Sequence, residues 1–326
     1  MVDLSLARES WPIRGAFTIS RGSRTTAEVV VVQLSDGTRI GRGECVPYPR
    51  YDETVDGVIA DIEGLRDALA QGLDRHGLQD RLPAGAARNA LDCAFWDLEA
   101  KRAGKRVWEL AGLDKPGPVA SAYTLSLDTP ARMAVSAKDN ADRPLLKLKL
   151  AGPDDLDRVA AVRSNAPEAR LIVDANEGWT ADQYRTLAEE LRELGVDMIE
   201  QPLPADDDEG LAGIARPVPV CADESCHDRA SLAALAGKYD MVNVKLDKTG
   251  GLSEALALKA EAEAQGFAVM VGCMLATSLA MAPAVLLGQD AEIVDLDGPL
   301  LLARDRDDAL TFEGSFIHPP SARLWG

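Results

Sequence analysis

Five short apolar segments between residues 144 and 246 each end in a charged side chain, and they recur at a nearly constant interval. Their sequences are PLLKLKL, RLIVDAN, DMIEQP, PVCADES and MVNVKL. From Lys149 onward, the charged residues follow one another after roughly 22 to 26 positions, about the length of one strand and one helix in a parallel barrel. The interval predicts that successive strands each deliver one functional side chain to the same mouth.

The same alternation extends over most of the chain. Helical patterns separate the apolar segments, for example at 154–165, 180–194 and 253–265. The predicted strands are 119–126, 144–150, 170–175, 197–201, 218–222, 241–246, 268–273 and 292–297. Eight strands that alternate with helices indicate an α/β fold with a parallel barrel, whose active site lies at the carboxyl ends of the strands.

The first 110 residues follow a different pattern. Residues 26–34 and 38–46 are predicted as two strands, and the Ser35-Asp36-Gly37 turn between them is typical of a β-hairpin. Helical patterns follow at 53–71 and 85–103. A meander followed by helices indicates a separate α+β domain.

The Lys115-Pro116-Gly117-Pro118 sequence interrupts both patterns, and we place the domain boundary there. Residues 1–115 then form the α+β domain, and residues 116–299 form the barrel. No full helix follows the last predicted strand. Residues 300–326 are therefore expected to pack back against the first domain.

Charge and cysteine content restrict the partners and the compartment. The formal net charge of -18 disfavours nucleic acid, whose phosphates require a cationic surface. An anionic substrate would also be repelled at long range, so a local basic residue would have to hold it. The five cysteines are odd in number and scattered, which favours the reduced thiols of a cytoplasmic protein over a disulfide framework.

Two segments bear on membrane targeting. The sequence MVDLSLARES carries charges where a secretory signal would be apolar, so no signal peptide is expected. Residues 268–288 carry no charge and are long enough to span a membrane. Gly272, the polar Thr277 and Ser278, and Pro283 within them nevertheless favour a strand followed by a buried helix, and no membrane partner is expected.

Three acids, Asp174, Glu200 and Asp223, end three consecutive predicted strands. Carboxylates that converge without partners raise one another's pKa values, and a divalent cation relieves that repulsion. Hard oxygen ligands with open positions suit Mg²⁺. A single acid of this kind would more simply cap a helix or form a salt bridge, but three at matching positions favour a Mg²⁺ site.

Three lysines occupy comparable positions on other strands. Lys147 and Lys149 are two residues apart on one strand and face the same side, where two neighbouring ammonium groups would lower the pKa of one of them. Lys245 ends a strand four positions further round the barrel, on the opposite wall. Two lysines facing each other across a substrate can remove a proton from one face and return a proton to the other. Surface lysines are the alternative interpretation, and the apolar strands around these residues weigh against it.

Together these residues resemble the active-site set of the enolase superfamily, and the resemblance extends over essentially the whole chain. It implies a (β/α)7β modified TIM barrel covered by an N-terminal α+β capping domain. The Lys147-x-Lys149 pair with Lys245 is similar to the muconate-lactonising subgroup. That subgroup includes muconate cycloisomerases, o-succinylbenzoate synthases, N-acylamino acid racemases and dipeptide epimerases. The implied chemistry is proton transfer next to a carboxylate with the help of Mg²⁺.

The Asp295-Leu296-Asp297 sequence on the last predicted strand distinguishes among these reactions. Two aspartates at i and i+2 project into the same mouth, and extra negative charge there suits a substrate with a free ammonium group. A turn before Gly298-Pro299 would explain Asp297 but not Asp295. The motif closely resembles that of dipeptide epimerases, in which the pair holds the amino-terminal ammonium of the dipeptide.

Segments of the first domain resemble bacterial L-Ala-D/L-Glu epimerases. These segments are 19–25, 47–51 and 88–94. The resemblance implies that Arg24 binds the side-chain carboxylate of a glutamate in the substrate, whereas an exposed loop residue is the alternative. Thr124, at the end of the first barrel strand, is a further candidate for substrate contact.

The expected reaction is a Mg²⁺-dependent 1,1-proton transfer, through an enediolate, at the α-carbon of the C-terminal residue of a dipeptide. Lys149 and Lys245 are the expected acid/base catalysts, with Lys147 tuning Lys149. The resemblance implies L-Ala-D/L-Glu as substrate and murein peptide metabolism as the setting. N-acylamino acid racemisation, o-succinylbenzoate synthesis and muconate cycloisomerisation are alternatives on the same scaffold. The complete set of acids and lysines disfavours a non-catalytic barrel, and the oligomeric state stays open.

Overall fold

Three β-sheets organise the part of the chain that the computed structural model describes, residues 2–152 and 154–326. The first is a three-stranded antiparallel meander, the second a parallel sheet of eight strands, and the third a small antiparallel sheet. The strands are β1 (Asp3–Ile19), β2 (Gly22–Ser35), β3 (Ile40–Cys45), β4 (Val119–Ala120), β5 (Tyr123–Leu125), β6 (Leu145–Lys149), β7 (Arg170–Asp174), β8 (Val196–Glu200), β9 (Val220–Ala222), β10 (Met241–Val244), β11 (Ala268–Val271), β12 (Ile293–Val294), β13 (Phe312–Glu313) and β14 (Phe316–Ile317).

Helices cover one face of the meander and connect the strands of the parallel sheet. They are α1 (Val55–Glu63), α2 (Arg66–Ala70), α3 (Arg75–Leu78), α4 (Ala86–Ala103), α5 (Val107–Leu110), α6 (Pro130–Asp139), α7 (Asp155–Asn165), α8 (Ala181–Glu193), α9 (Leu232–Leu235), α10 (Leu246–Thr249), α11 (Leu252–Ala264), α12 (Ser278–Leu287) and α13 (Gly298–Leu301). The helical segment predicted at 53–71 is divided into α1 and α2, whereas the one predicted at 85–103 is the single helix α4.

The meander is larger than the sequence predicted. The two predicted strands correspond to β2 and β3, but β1, which pairs with β2, was missed. Only Leu4, Trp11 and Ile13 of its seventeen residues are buried, so its sequence carries little of the alternation by which a strand is recognised.

Helix α4 packs directly on the backbone of β3. A Cβ atom at Gly41 would lie 2.2 Å from the carbonyl oxygen of Ala94, and one at Gly43 would lie 2.0 Å from that of Ala90. Real Cβ atoms do not approach backbone so closely. The two glycines therefore permit the contact between strand and helix that closes the core of the first domain.

Replacing Gly43 with alanine is expected to lower the free energy of unfolding by about 3 kcal/mol, at the upper end of the range for overpacking, because the added methyl group meets backbone that cannot turn away. Gly117→Ala is the matched control, since no atom lies within 4 Å of the Cβ it would add. Urea unfolding of both variants, followed by circular dichroism, measures the difference. Equal stabilities would show that β3 and α4 separate without cost.

The eight predicted barrel strands form the parallel sheet β5 to β12 in sequence order. Its two edges meet, because Ala122 N–H donates to the Val294 carbonyl at 2.8 Å and Leu296 N–H donates to the Ser121 hydroxyl at 2.9 Å. The predicted strand 119–126 is divided, since its first part pairs with β14 as β4 and only its last part continues into the barrel as β5. The (β/α)7β barrel with its separate N-terminal α+β sheet domain is thereby confirmed.

The uncharged segment 268–288 forms strand β11 and helix α12, and all ten residues of α12 are buried. This is the predicted strand followed by a buried helix. No helix among the described residues is both long and apolar enough to cross a membrane.

The end of the chain contacts the first domain. Leu302 forms an antiparallel bridge with Ile13, and the Trp325 indole N–H donates to the Cys93 carbonyl at 3.0 Å. The backbone N–H of Gly326 donates to a carboxylate oxygen of Asp97 at 2.8 Å. The domain limits at 115/116 and 299/300 stay a prediction.

Candidate active site

An apolar layer closes the floor of the barrel, and a polar residue follows it on seven of the eight strands. The layer is one packed cluster of Ala122, Leu145, Ile172, Met198, Cys221, Met241, Met270 and Ile293. Because side chains alternate along a strand, the next residues that face inward lie two positions further on. They are Thr124, Lys147, Asp174, Glu200, Asp223, Asn243, Gly272 and Asp295. The sequence therefore stacks its charged groups directly above a sealed floor.

A cavity lies between this layer and the loops of the first domain. It encloses about 790 Å³ of space between atoms, its open mouth included. Lys149, at the end of β6, and Lys245, directly after β10, both line it. The two strands are four apart in the sheet. The structure thus brings the two predicted acid/base lysines to one cavity.

The three predicted acids Asp174, Glu200 and Asp223 lie at the carboxyl ends of neighbouring strands and are buried. Each is paired with a lysine ammonium: Lys149–Asp174 at 2.5 Å, Lys147–Glu200 at 2.6 Å and Lys245–Asp223 at 2.6 Å. All six predicted residues therefore form one network of alternating charge. Within residues 2–152 and 154–326, no three acids, histidines or cysteines are already arranged around a common metal position.

This network shifts the pKa values of its acids in opposite directions. Burial alone would raise the pKa of Asp174 and Asp223, but the adjacent ammonium groups hold both pKa values below their usual range. Burial and the neighbouring Asp174 carboxylate raise the pKa of Glu200. Of the three acids, Glu200 is therefore the one whose pKa is raised, as the predicted repulsion among the acids requires.

The lysines respond to the same charges. Burial alone would lower the pKa of Lys147 and Lys245, but the carboxylates around them raise both pKa values. Asp295 is the carboxylate that raises the pKa of Lys147 most, with Glu200 next. At Lys147 the carboxylates therefore outweigh the neighbouring ammonium group on which the prediction of a lowered pKa rested.

Asp295 and Asp297 lie where β12 meets β5. One oxygen of Asp295, Oδ2, accepts a hydrogen bond from the Lys147 ammonium at 2.8 Å, whereas Oδ1 is buried and has no hydrogen-bond partner among the described residues. Asp297 accepts a hydrogen bond from the Thr124 backbone N–H at 2.6 Å. Burial and the Asp295 carboxylate raise the pKa of Asp297 to about 7. The pair therefore has one buried acceptor oxygen that the described residues leave without a donor, and neither aspartate is among the residues that line the cavity of Lys149 and Lys245.

Thr124 lies beside the cavity that Lys149 and Lys245 line. It lines a neighbouring cavity, and Ile13 and Phe17 line both. Its direct contact is with Asp297, so it supports the aspartate pair.

Arg24 is exposed and belongs to the lining of the cavity that Lys149 and Lys245 share. Its guanidinium carbon lies 5.3 Å from the centre of the Tyr48 ring, in a cation–π contact. Its role as a substrate ligand stays a prediction.

Arg21, which was not predicted, holds the first domain over the barrel mouth. Its guanidinium donates to Glu224 at 2.7 Å, to Glu177 at 3.0 Å and to the carbonyl of Asn176 at 3.0 Å. Arg50 pairs with the same Glu177 at 2.7 Å. The sequence signal for such a contact was the position of its two partners, because Glu177 and Glu224 each follow a strand-end aspartate within three residues.

Lys248 and Asn243 were also missed. The Lys248 ammonium donates to Asp223 Oδ1 at 2.7 Å and to the Asn243 carbonyl at 2.8 Å, and the Asn243 amide donates to Glu200 at 2.7 Å. Gly272 leaves room for that amide, because a Cβ there would lie 2.6 Å from Asn243 Oδ1. An amide within the apolar strand MVNV was the signal for Asn243.

Two family models match the chain. The model described as the mandelate racemase/muconate lactonizing enzyme N-terminal domain matches residues 1–112. The model described as enolase C-terminal domain-like matches residues 132–323.

Similar proteins include L-Ala-D/L-Glu epimerase from Escherichia coli (strain K12), which is 49% identical over 98% of this chain and 100% of that protein. N-acetyl-D-glutamate racemase from a Pseudoalteromonas species is 44% identical over 91% of this chain and 95% of that protein.

Solved structures give the same relation. An enolase family member from Agrobacterium tumefaciens with homology to dipeptide epimerases, bound to sodium and L-Ala-L-Glu, is 53% identical with a TM-score of 0.98 over 100% of both chains. The dipeptide epimerase from Enterococcus faecalis V583, complexed with Mg and L-Leu-L-Tyr, is 27% identical with a TM-score of 0.92 over 99% of this chain and 98% of that chain. The chain therefore belongs to the mandelate racemase/muconate lactonizing enzyme family of the enolase superfamily, where its relatives include dipeptide epimerases.

Proposed function

We propose that the protein is a Mg²⁺-dependent dipeptide epimerase that inverts the α-carbon of the C-terminal residue of L-Ala-L-Glu. The observation that carries this proposal is the pair of lysines, Lys149 and Lys245, lining one cavity from strands four apart. One lysine removes the α-proton and the other delivers a proton to the opposite face. The similarity to L-Ala-D/L-Glu epimerase over nearly the whole chain supports the same reaction.

Asp174, Glu200 and Asp223 are the residues that would hold Mg²⁺. They fit a hard cation because they are three buried carboxylates at adjacent strand ends. Glu200 Oε2 lies 2.6 Å from the Lys147 ammonium but accepts no aligned hydrogen bond from the described residues. When bound, Mg²⁺ supplies positive charge that stabilises the substrate carboxylate as the α-proton leaves.

The charge of the acids also controls the bases. The Asp223 carboxylate favours the protonated form of Lys245. If the acids neutralised a cation instead, their opposition to burial would weaken, and burial, the largest single effect on the pKa of Lys245, would favour the neutral form that a base requires. Lys147 lies between Glu200 and Asp295. Its ammonium group would stabilise the negative charge that develops on the substrate carboxylate.

Substrate selection depends on three further charged residues: Asp295 and Asp297, beside the acid and lysine network, and Arg24 at the cavity mouth. The free oxygen of Asp295, with Asp297 beside it, would accept hydrogen bonds from the substrate ammonium. Arg24 at the cavity mouth would hold the glutamate side-chain carboxylate. Arg24 would supply the local positive charge that an anionic substrate needs on a chain with a net charge of -18.

Racemisation of N-acylated glutamate is a second candidate. The 44% identity to N-acetyl-D-glutamate racemase favours it, and Arg24 could bind the same side chain. The aspartate pair disfavours it, since an N-acyl group brings no positive charge to that pocket.

We further propose a cytoplasmic setting in murein peptide metabolism. The free state of all five cysteines and the similarity to an L-Ala-D/L-Glu epimerase support this setting.

Incubating the protein with L-Ala-L-Glu and Mg²⁺ in D₂O is expected to produce α-deuterated L-Ala-D-Glu, measured by proton NMR and chiral chromatography. Chelation of the metal is expected to stop the reaction. N-acetyl-L-glutamate is the parallel substrate, and a higher kcat/KM for it would favour the racemase. Absence of α-proton exchange with every dipeptide tried would overturn the proposal.

A further inference from the structure

One face of helix α4 in the first domain lies along the barrel segment that carries Lys245. The Asn89 amide donates to Asp247 at 2.8 Å, and the Arg88 guanidinium donates to the Thr249 carbonyl at 2.7 Å. Further along the helix, Asp92 accepts a hydrogen bond from the Ser253 backbone N–H at 2.9 Å. Three residues of one helix thus hold the segment that follows Lys245.

The same segment is shaped to receive the helix. Gly250 and Gly251 adopt φ values of 75° and 109°, which favour glycine. A Cβ at Gly250 would lie 2.4 Å from the Arg88 side chain, and one at Gly251 would lie 2.5 Å from that of Asp92. The path of the chain after Lys245 therefore depends on contact with α4.

The buried carboxylate of Asp247 connects the segment after Lys245 both to helix α4 and to the residue that follows strand β3. Its Oδ1 atom accepts hydrogen bonds from the Val46 backbone N–H at 3.0 Å and from Asn89 at 2.8 Å. Val46 lines the substrate cavity, and Asp247 is two residues after Lys245. Burial raises the pKa of Asp247 to about 7, although both hydrogen bonds work in the opposite direction. Burying a carboxylate costs its hydration, and the two hydrogen bonds that Asp247 accepts in return fix the position of the segment after Lys245.

The two lysines differ in what holds them. Lys149 is the last residue of β6 and pairs with Asp174 on β7. Lys245 lies beyond the end of β10 and precedes α10, a helix of only four residues. Its backbone therefore depends more on the contacts of the segment that follows.

We propose that Asp247 is a positioning residue for Lys245, through which the first domain sets the place of this lysine against the substrate. The inference rests on the proposed epimerase function and deepens it. A displacement of about 1 Å of a reacting group can lower a rate by about 10²-fold. Loss of Asp247 should thus impair the proton transfer of Lys245 and spare that of Lys149.

Isotope exchange separates the two lysines, because each removes the α-proton of only one isomer. The initial rate of deuterium uptake in D₂O would be measured separately from L-Ala-L-Glu and L-Ala-D-Glu. The isomer whose exchange is lost in Lys245→Ala is the one served by Lys245. In Asp247→Asn, exchange from that isomer is expected to fall about tenfold or more relative to the other.

Asp92→Asn is the matched control, since it alters the same interface six residues further along the segment, at Ser253. It is expected to leave the ratio of the two exchange rates as in the wild type. Asn89→Ala, which removes one of the two donors to Asp247, provides a second variant if Asp247→Asn fails to fold, and its ratio is expected to shift in the same direction. An equal loss of exchange from both isomers in these variants would overturn the role of Asp247. Absence of exchange in the wild-type protein would instead contradict the proposed function.

Discussion

Lys149→Ala and Lys245→Ala are each expected to lower kcat for epimerisation of L-Ala-L-Glu by about 10³-fold or more, near the upper part of the range for loss of a general acid or base. Inversion needs two proton transfers on opposite faces, so loss of either lysine blocks the reaction in both directions. The measurement is the rate of formation of L-Ala-D-Glu at saturating substrate and Mg²⁺.

The isotope pattern of these two variants is the sharper result. Each single variant is expected to lose deuterium uptake from one isomer and to keep it from the other, and the two variants should be complementary. Lys259→Ala is the matched control, because its side chain is also largely buried but binds the carbonyls of Leu287 and Gln289. A Lys149 or Lys245 variant that still inverts the dipeptide at the wild-type rate would exclude that lysine from proton transfer.

Asp295→Asn is expected to lower kcat/KM for L-Ala-L-Glu by about 10²-fold, since removing one charge from a buried ion pair costs roughly 2–5 kcal/mol. The physical reason is the buried oxygen of Asp295 that has no partner among the described residues and would meet the substrate ammonium. The same kinetics on N-acetyl-L-glutamate, which has no ammonium group, should change much less.

The comparison of two substrates also separates the two contacts of Asp295. Its other oxygen binds Lys147, and loss of that contact would slow both substrates equally. Asp297→Asn is the companion variant, because asparagine still offers an oxygen to the Thr124 N–H. It is expected to show the same selective loss on the dipeptide. Equal losses on both substrates in both variants would place the ammonium site elsewhere.

Much of the barrel could be predicted because the pattern that identifies each strand lies within a few consecutive residues. Each strand is a short apolar run, and its last inward-facing residue lies a fixed two or four positions beyond the floor of the barrel. Asp174, Glu200 and Asp223 could be named from that pattern, as could Lys149 and Lys245. Strand β1 could not, since most of its side chains are exposed and its identity comes from pairing with β2.

The electrostatics of the lysine pair could be predicted only in part from the sequence. The sequence placed Lys147 next to Lys149 and led to an expected fall in the pKa of one lysine. The folded barrel surrounds Lys147 with Asp295, Glu200 and Asp174, whose combined charge raises its pKa despite burial, so Lys147 is not the lysine of the pair whose pKa falls. The balance depends on residues from three other strand ends, and only their distances reveal which effect is larger.

The sequence by itself determined the barrel, its charged layer and the type of chemistry that such a layer can perform, because period and spacing within a strand decide which side chains face inward. Only the tertiary structure decided how the first domain meets that layer. Arg21 reaches Glu224 across 203 positions, and Val46 reaches Asp247 across 201. Such pairs leave no period in the sequence, because a contact between distant segments depends on how two separately formed surfaces pack.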